Sequence, residues 1–156
     1  MRLIAVGRLQ PGPEAALFAR YVARLRPGLS VTEVAEGAGA AAEARRREGA
    51  ALLAALLEPA FVVALDLGGE SPGSDGLARH LERWLGLGRP LCFVVGGTEG
   101  LDGAVLARAN WLLSFGPMTW PHMMVRVMLA EQLFRAQAIL TGHPYHRGQR
   151  PNSLRG

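Results

Sequence analysis

Apolar runs of strand length alternate with helical segments along this 156-residue chain. We predict five strands, at residues 3–6, 29–34, 61–65, 91–95 and 111–115. We predict five intervening or following helices, at residues 14–25, 43–57, 77–87, 102–109 and 122–140. Strands joined through helices pair in parallel, because the crossover returns the chain to the same edge. The sequence therefore predicts an α/β fold, a mostly parallel sheet with helices on both faces.

The composition favours one globular domain, since 49% of the residues are hydrophobic and 19% are charged. The net charge of +4 favours an anionic partner such as RNA, DNA or a phosphorylated ligand, although a merely basic protein fits as well. The single cysteine, Cys92, excludes an internal disulfide and suits a reducing cytosol. The apolar patch near the N-terminus is too short for a signal peptide or a membrane span. We expect a soluble cytoplasmic protein without membrane contact.

Three predicted strands end in loops that contain glycine, after Leu65, at Gly96 and at Gly116. The carboxyl ends of parallel strands share one edge of a sheet, where open α/β folds bind ligands. Glycine lets the backbone approach a ligand closely. The pattern favours a nucleoside-type cofactor, with simple turns and helix caps as the alternative. It fits neither a phosphate-binding P-loop nor a conventional dinucleotide site.

The segment 111–140 combines a strand, a Gly/Pro turn and the longest helix. Thr119 is the expected N-cap, and Pro121 suits the first helical turn. The helix is apolar on more than one side, which predicts packing against both the sheet and a second subunit. His122 and Arg126 lie where they face the pocket, or else cap the helix and form an ordinary ion pair. Both interpretations stay open.

Two further groups of polar residues suggest a partner. His143, Tyr145, His146 and Arg147 are better suited to stack on a base and pair with a phosphate than to bind zinc. We therefore predict no metal. The three arginines 45–47 form a solvated face or a surface for a partner; at a helix start they oppose the helix dipole.

Several motifs resemble one family, the ribosomal RNA large subunit methyltransferase H family. They are the run FVVGGTEGL at 93–101, the segment LSF at 113–115 with MTWPH at 118–122, and the helical residues VRV at 125–127. The pairs EQ at 131–132 and RA at 135–136, with the ending HPYHR at 143–147, complete the set. The similarity extends from residue 3 to residue 147. The combination is specific, whereas each motif alone is not.

The resemblance implies the SPOUT superfamily of methyltransferases, with a deep C-terminal trefoil knot. It implies a single SPOUT domain at residues 1–147, and we expect 148–156 to be a flexible tail. Such proteins are homodimers that use S-adenosylmethionine. They methylate N3 of a pseudouridine in the stem-loop called helix 69 of 23S rRNA, in the large subunit or the 70S ribosome. By position, the cofactor contacts fall on Leu65, Gly96, Phe115, Gly116, Pro117, Met118, Thr119 and Trp120.

For the chemistry, we assign removal of the N3 proton to His143 or His146 of a partner subunit, or to Glu131. We assign RNA contacts to Arg126, Tyr145 and Arg147, with Trp120 and Tyr145 beside the cofactor or the target base. Two alternatives remain at this point. One is a non-catalytic RNA- or ribosome-binding protein of the same fold, and the other is the same chemistry on a different RNA.

Overall fold

The computed structural model describes residues 1–147, and in this part of the chain strands and helices alternate. The strands are β1 (Arg2–Val6), β2 (Ser30–Val34), β3 (Phe61–Glu70), β4 (Leu91–Val95) and β5 (Trp111–Leu113). The helices are α1 (Pro13–Val22), α2 (Ala41–Ala54), α3 (Ser74–Leu85), α4 (Gly103–Arg108) and α5 (His122–Leu140). The predicted order of elements is confirmed, with ends that differ by a few residues. The predicted tail, 148–156, lies outside the described residues.

The five strands form one parallel sheet in the order β2-β1-β4-β3-β5. The central strand β4 is buried along its whole length, as expected of a strand covered on both faces. The predicted fold class, a parallel α/β sheet, is therefore confirmed. The trefoil knot implied by the resemblance is consistent with this arrangement.

Alternate residues of each central strand point to opposite faces, and each face has its own apolar core. Phe93 of β4 packs with residues of α1, α3 and α5 on one face. Cys92 and Val94 pack with residues of α2 and α4 on the other. Burial raises the pKa of the Cys92 thiol, as expected of an unreactive core residue. Two helical layers thus hold the sheet, and its carboxyl edge stays free for a site.

Two strand ends differ from the prediction. β3 extends to Glu70, and Leu113 of β5 pairs with both Leu65 and Glu70. The segment between these two residues, predicted as a tight loop, is therefore a bulge within the strand. Asp66 stabilises the bulge by accepting a hydrogen bond from Gly68 N at 2.8 Å. β5 ends at Leu113, two residues early, because Ser114 N instead donates to Glu70 O at 2.8 Å.

Within residues 1–147, no helix is long and apolar enough to cross a membrane.

Candidate cofactor site at the carboxyl edge of the sheet

A cavity of about 440 Å³ lies at the carboxyl edge of the sheet. The ends of β3, β4 and β5 meet there, together with the start of α5. Its walls combine buried apolar side chains, such as Val95, Leu101 and Leu113, with backbone of the glycine turns. A volume of several hundred Å³ is typical of small-molecule sites. The predicted meeting of three strand ends around a ligand-sized space is therefore confirmed.

The turn after β4 forms one wall of this cavity. Gly100 N donates to Gly97 O at 3.1 Å, and Gly100 has a φ of +78°, a value that favours glycine. A Cβ on Gly96 would lie 2.7 Å from Gly100 O, too close for any side chain. Gly96 is thus required for the turn to close, and its backbone forms part of the cavity wall.

A second turn, after β5, forms another wall. Gly116 has a φ of +102°, and the buried Ser114 hydroxyl bonds to both of its backbone polar groups. The hydroxyl oxygen donates to Gly116 O at 3.1 Å and accepts from Gly116 N at 3.2 Å. Ser71 Oγ in turn donates to Ser114 O at 3.2 Å. The turn is therefore fixed by hydrogen bonds within the chain, which reduces the ordering cost of binding a ligand.

Helix α5 begins at this cavity. Its N-cap is Pro121, and no side chain caps it, so the prediction of Thr119 as the N-cap is wrong. Thr119 instead lines the cavity, together with Trp120 and His122. Nε2 of His122 is buried and has no hydrogen-bond partner among the described residues. A buried polar atom without a partner is costly, so a ligand that supplies one would bind there favourably.

Six of the eight predicted cofactor residues line the cavity: Leu65, Gly96, Phe115, Gly116, Thr119 and Trp120. Pro117 and Met118 belong to the same turn but are exposed and do not line it. Met118 is 65% exposed, the largest value among the exposed large hydrophobic residues. These two residues shape the outside of the turn.

Arg126, predicted to contact RNA, is fully buried. Its guanidinium donates to Glu33 Oε1 at 2.9 Å, to Val6 O at 2.5 Å and to Gly7 O at 2.7 Å. Burial lowers the pKa of Arg126, while the hydrogen bond and the charge of Glu33 oppose that shift. The prediction is wrong for this structure, because Arg126 ties α5 to the ends of β1 and β2, and its remaining donor, Nε, is buried and out of reach of RNA.

The segment after α5 folds back so that Tyr145 packs against α1 and α5. We call Tyr145 and its neighbours Tyr21, Glu131, Phe134 and Arg135 the tail cluster. The Tyr145 hydroxyl bonds to Glu131 Oε1 at 3.0 Å and to the Tyr21 hydroxyl at 3.2 Å. Its ring packs edge-on against Phe134, with centroids 4.7 Å apart. Arg135, one helical turn after Glu131, donates from Nε to Glu131 Oε1 at 3.0 Å.

Contacts within the tail cluster shift the pKa values of two of its members. Burial and the hydrogen bonds to Tyr21 and Glu131 raise the pKa of Tyr145. The hydrogen bond to Glu131 raises the pKa of Arg135. Glu131 also accepts from Gln132 Nε2 at 2.7 Å, so both of its oxygens are occupied.

The two predicted histidines lie beside this cluster. His143 is exposed, and its Nδ1 accepts from Tyr145 N at 3.2 Å. His146 is half-buried; its Nδ1 lies 3.4 Å from Arg135 Nη1 and its Nε2 lies 4.0 Å from Asp75. Arg147 is exposed. Residues 1–147 bring together no group of three or more His, Cys, Asp and Glu side chains that would hold a metal.

The tail cluster borders a second cavity, of about 510 Å³, between α1 and α5. This cavity and the cofactor cavity share the turn Ser114, Phe115 and Gly116. Glu131 lines the second cavity only, and neither His143 nor His146 lines the first. Within one chain, the structure therefore does not bring the three candidate bases to the cofactor cavity.

Three charged side chains in the cavity wall are absent from the predicted site: Arg45, Asp66 and Glu99. In the sequence, Arg45 belongs to a run of three arginines in which nothing distinguishes one member from the next. Asp66 and Glu99 adjoin two of the glycine turns, and that adjacency is the signal that would have found them.

Comparisons with known proteins identify relatives of this chain. The sequence profile of a family described as "Predicted SPOUT methyltransferase" matches residues 1–146. A ribosomal RNA large subunit methyltransferase H from Gluconacetobacter diazotrophicus is 65% identical over 151 residues, covering 97% of this chain and 99% of that protein. The one from Rhodospirillum rubrum is 54% identical over 145 residues, covering 92% and 95%.

A solved structure of a probable methylase family protein from Haemophilus influenzae Rd KW20 has a similar fold. Its TM-score is 0.53 at 11% sequence identity, and the match covers 97% of this chain and 72% of that chain. This likeness concerns the fold alone.

Proposed function

Because this chain belongs to the SPOUT methyltransferase family, we propose that it is an S-adenosylmethionine-dependent methyltransferase of large-subunit ribosomal RNA. The family resemblance found in the sequence is thereby confirmed. The observation that carries the proposal is the preformed cavity where three glycine-containing strand ends meet. The curated relatives at 65% and 54% identity, named as large-subunit methyltransferases, support the choice of substrate.

The residues present fit the cofactor. Apolar side chains such as Leu65, Leu101 and Phe115 offer surface to an adenine ring, and the glycine turns expose backbone groups to read its edge. His122 supplies a buried, unpartnered ring nitrogen. S-adenosylmethionine, when bound, supplies an electrophilic methyl group on its sulfonium sulfur. The protein's task is to align that methyl with its acceptor and to exclude water.

The finer proposal is that the acceptor is N3 of a pseudouridine in helix 69 of 23S rRNA. N3 carries a proton that must leave at or before attack, so a general base is required. Both oxygens of Glu131 are occupied, which makes it a poor base. His143 is exposed, and the lone pair of its Nδ1 is held only by Tyr145 N at 3.2 Å. We assign the base to His143, because release of that single hydrogen bond lets Nδ1 accept the proton while Nε2 keeps its own hydrogen.

The functional unit we propose is a homodimer. The candidate bases do not line the cofactor cavity of their own chain, so a second copy has to bring them to it. Apolar surface for such contact exists between α1 and α5, where Leu17 and Met128 line the second cavity and Leu17 is 39% exposed. Burial of this apolar surface against a helix of a second copy is more favourable than its exposure to water.

RNA contact is assigned to Arg147 and Tyr145, without Arg126. Arg147 is exposed and offers a planar fork of donors to a phosphate. Tyr145 is half-buried, and its hydroxyl is held by Glu131 and Tyr21, so only its ring is available for stacking. With a net charge of +4, electrostatic binding to naked RNA is limited, and recognition depends on the shape of an assembled large subunit or 70S ribosome.

The test is incorporation of labelled methyl groups from S-adenosylmethionine into intact ribosomes and into naked rRNA. We expect incorporation into ribosomes that greatly exceeds incorporation into naked rRNA; equal incorporation would contradict the ribosome requirement. Mass spectrometry of rRNA from a deletion strain then locates the modified base. An unmethylated pseudouridine in helix 69 is expected. Loss of a different methyl group would indicate another RNA target, and no loss would favour a non-catalytic binding protein.

A further inference from the structure

The cofactor cavity has charged side chains of both signs, one positive and two negative. Arg45, Asp66 and Glu99 are the members of the cavity wall that carry a formal charge within the described chain. Glu99 is exposed and Arg45 and Asp66 are half-exposed, whereas the apolar wall residues Val95 and Leu113 are buried. The cavity thus has an apolar interior and a charged rim that carries both signs.

Arg45 reaches this rim because of how α2 is seated. Glu48, one turn further along the helix, is buried, and its Oε1 accepts from Gly37 N at 2.9 Å. Its carboxylate also lies against Gly97, where an added Cβ would be 2.8 Å from Oε2. Residues three apart share one side of a helix. The contact between Glu48 and the Gly97 turn therefore directs Arg45 toward the same turn.

The three consecutive arginines have different surroundings, since each helical residue is rotated by about 100° from the last. Arg47 pairs with Glu43, and Arg46 is exposed and does not line the cavity. Arg45 alone of the three lines the cavity. Neither Arg45 nor Glu99 has an ion-pair or hydrogen-bond partner in residues 1–147, so both are available to a ligand.

We propose that Arg45 and Glu99 bind the zwitterionic α-amino-acid end of the S-adenosyl cofactor, with Arg45 on its carboxylate and Glu99 on its ammonium group. This inference rests on the proposed function and extends it to residues not yet assigned. An α-amino acid presents opposite charges on neighbouring groups, and the rim offers the complementary pair. Arginine is suited to a carboxylate because its donors form a planar fork.

An RNA phosphate at Arg45 is the competing explanation. The carboxylates of Asp66 and Glu99 stand on the same rim, and like charges brought together at an interface are strongly unfavourable. A polyanion would meet two negative groups for each positive one there. A zwitterion meets an opposite charge at each of its ends, so the mixed rim favours the cofactor over the RNA backbone.

The test is calorimetric binding of two probes to the full-length protein. S-adenosylhomocysteine carries the amino-acid end, and 5′-methylthioadenosine shares its adenosine and thioether but lacks that end. We expect Arg45→Met to weaken S-adenosylhomocysteine binding about tenfold, as for a charged hydrogen bond at a half-exposed site. Binding of 5′-methylthioadenosine stays unchanged. Arg46→Met, the matched control off the cavity, changes neither.

A third probe separates the two charges. The adenosyl 3-aminopropyl thioether keeps the amine and lacks the carboxylate. We therefore expect its affinity to be unchanged in Arg45→Met and to be weaker in Glu99→Gln. Equal weakening of all probes by Arg45→Met, or no weakening of any, overturns the proposal. Unchanged S-adenosylhomocysteine binding with a raised KM for ribosomes would assign Arg45 to RNA instead. A wild-type protein that binds none of the probes would contradict the proposed function itself.

Discussion

The cofactor cavity and the second cavity, which the tail cluster borders, share one turn, Ser114 to Gly116. The polar groups of the cofactor cavity and of the tail cluster nevertheless differ in whether they have hydrogen-bond partners. In the cavity, His122 Nε2 is buried without a partner, and Arg45 and Glu99 are unpaired within residues 1–147. In the tail cluster, both oxygens of Glu131 and the Tyr145 hydroxyl are occupied by neighbours. A buried polar atom without a partner, such as His122 Nε2, is costly unless a ligand completes it, whereas satisfied groups stabilise the fold.

Ligand binding and stabilisation of the fold thus belong to two different regions of the protein. The cavity is fixed by glycine turns, backbone hydrogen bonds and the Ser114 hydroxyl, which leaves the side chains of Arg45, Glu99 and His122 available to a ligand within the described chain. The tail cluster uses its side chains on one another, and His143 Nε2 is a group beside it that makes no hydrogen bond within the described chain. A residue's chemistry alone does not tell these cases apart, since Glu131 and Glu99 are both glutamates.

The largest expected effect is on His143. His143→Gln removes the proposed base, and we expect kcat on ribosomes to fall about a hundredfold or more. S-adenosylhomocysteine affinity is expected to stay unchanged, because His143 lies outside the cofactor cavity of its own chain. Steady-state kinetics and calorimetry check both values, with Glu131→Gln as the comparison. A normal kcat in His143→Gln would show that His143 is not the base.

Arg126→Met is expected to act on stability. It leaves the carbonyls of Val6 and Gly7 without their donor and Glu33 without its charge partner. We expect the free energy of unfolding, measured by denaturant titration, to fall by about 3 kcal/mol. Arg147→Met is the control: an exposed arginine whose loss is expected to weaken ribosome binding with little change in stability. Weakened ribosome binding with unchanged stability in Arg126→Met, and lowered stability in Arg147→Met, would indicate that Arg126 contacts RNA.

Gly96→Ala tests the backbone wall of the cavity. The added Cβ would lie 2.7 Å from Gly100 O, so the turn must shift. We expect S-adenosylhomocysteine affinity to fall by about 2 kcal/mol, or about thirtyfold, as for an overpacked site. Gly103→Ala is the matched control, since a Cβ there meets nothing within 4 Å. If Gly96→Ala and Gly103→Ala bind S-adenosylhomocysteine with equal affinity, the cofactor does not bind in this cavity.

Tyr145→Phe tests the satisfied network. It removes the hydroxyl that bonds Glu131 and Tyr21 and keeps the ring against Phe134. We expect a loss of about 1 kcal/mol in the free energy of unfolding, as for one internal hydrogen bond. Cofactor affinity, measured by calorimetry, is expected to be unchanged. A weakened cofactor complex would mean that the cavity and the cluster are coupled through their shared turn.

The same hydroxyl gives the smallest effect, at alkaline pH. The folded-state pKa of Tyr145 is raised, so its contribution to stability is complete below its unfolded pKa of about 10. It is lost as the pH rises above that value, because the unfolded chain releases the proton first. Melting temperatures at about pH 8 and pH 11 are expected to fall more in the wild type than in Tyr145→Phe. Parallel falls would show that the hydroxyl titrates as in the unfolded chain.

The sequence predicts most of the architecture because the signals are local. The runs at 91–95 and 122–140 match β4 and α5 in both bounds, since their apolar patterns are long and bordered by glycine or proline. The meeting of Leu65, Gly96 and Gly116 also follows from parallel strand order. The bulge in β3 was missed because Asp66, Gly68 and Gly69 have the composition of a loop.

Contacts between distant residues were beyond such signals. Arg126 lies on a helical pattern like any surface arginine, and its carbonyl partners Val6 and Gly7 are 120 and 119 residues away. The run of three arginines does not indicate that Arg45 alone of them lines the cavity. The direction of the Arg45 side chain depends on the contacts of Glu48, which fix the orientation of α2. The site was predictable where backbone order makes it, and unpredictable where side chains from different elements meet.

The most direct test of the central claim is a crystal structure of this protein with S-adenosylhomocysteine. The account predicts the adenine among the strand ends at Leu65, Gly96 and Phe115, with the amino-acid end at the rim beside Arg45. A ligand in the second cavity, between α1 and α5, or no bound ligand at saturating concentration, would contradict it.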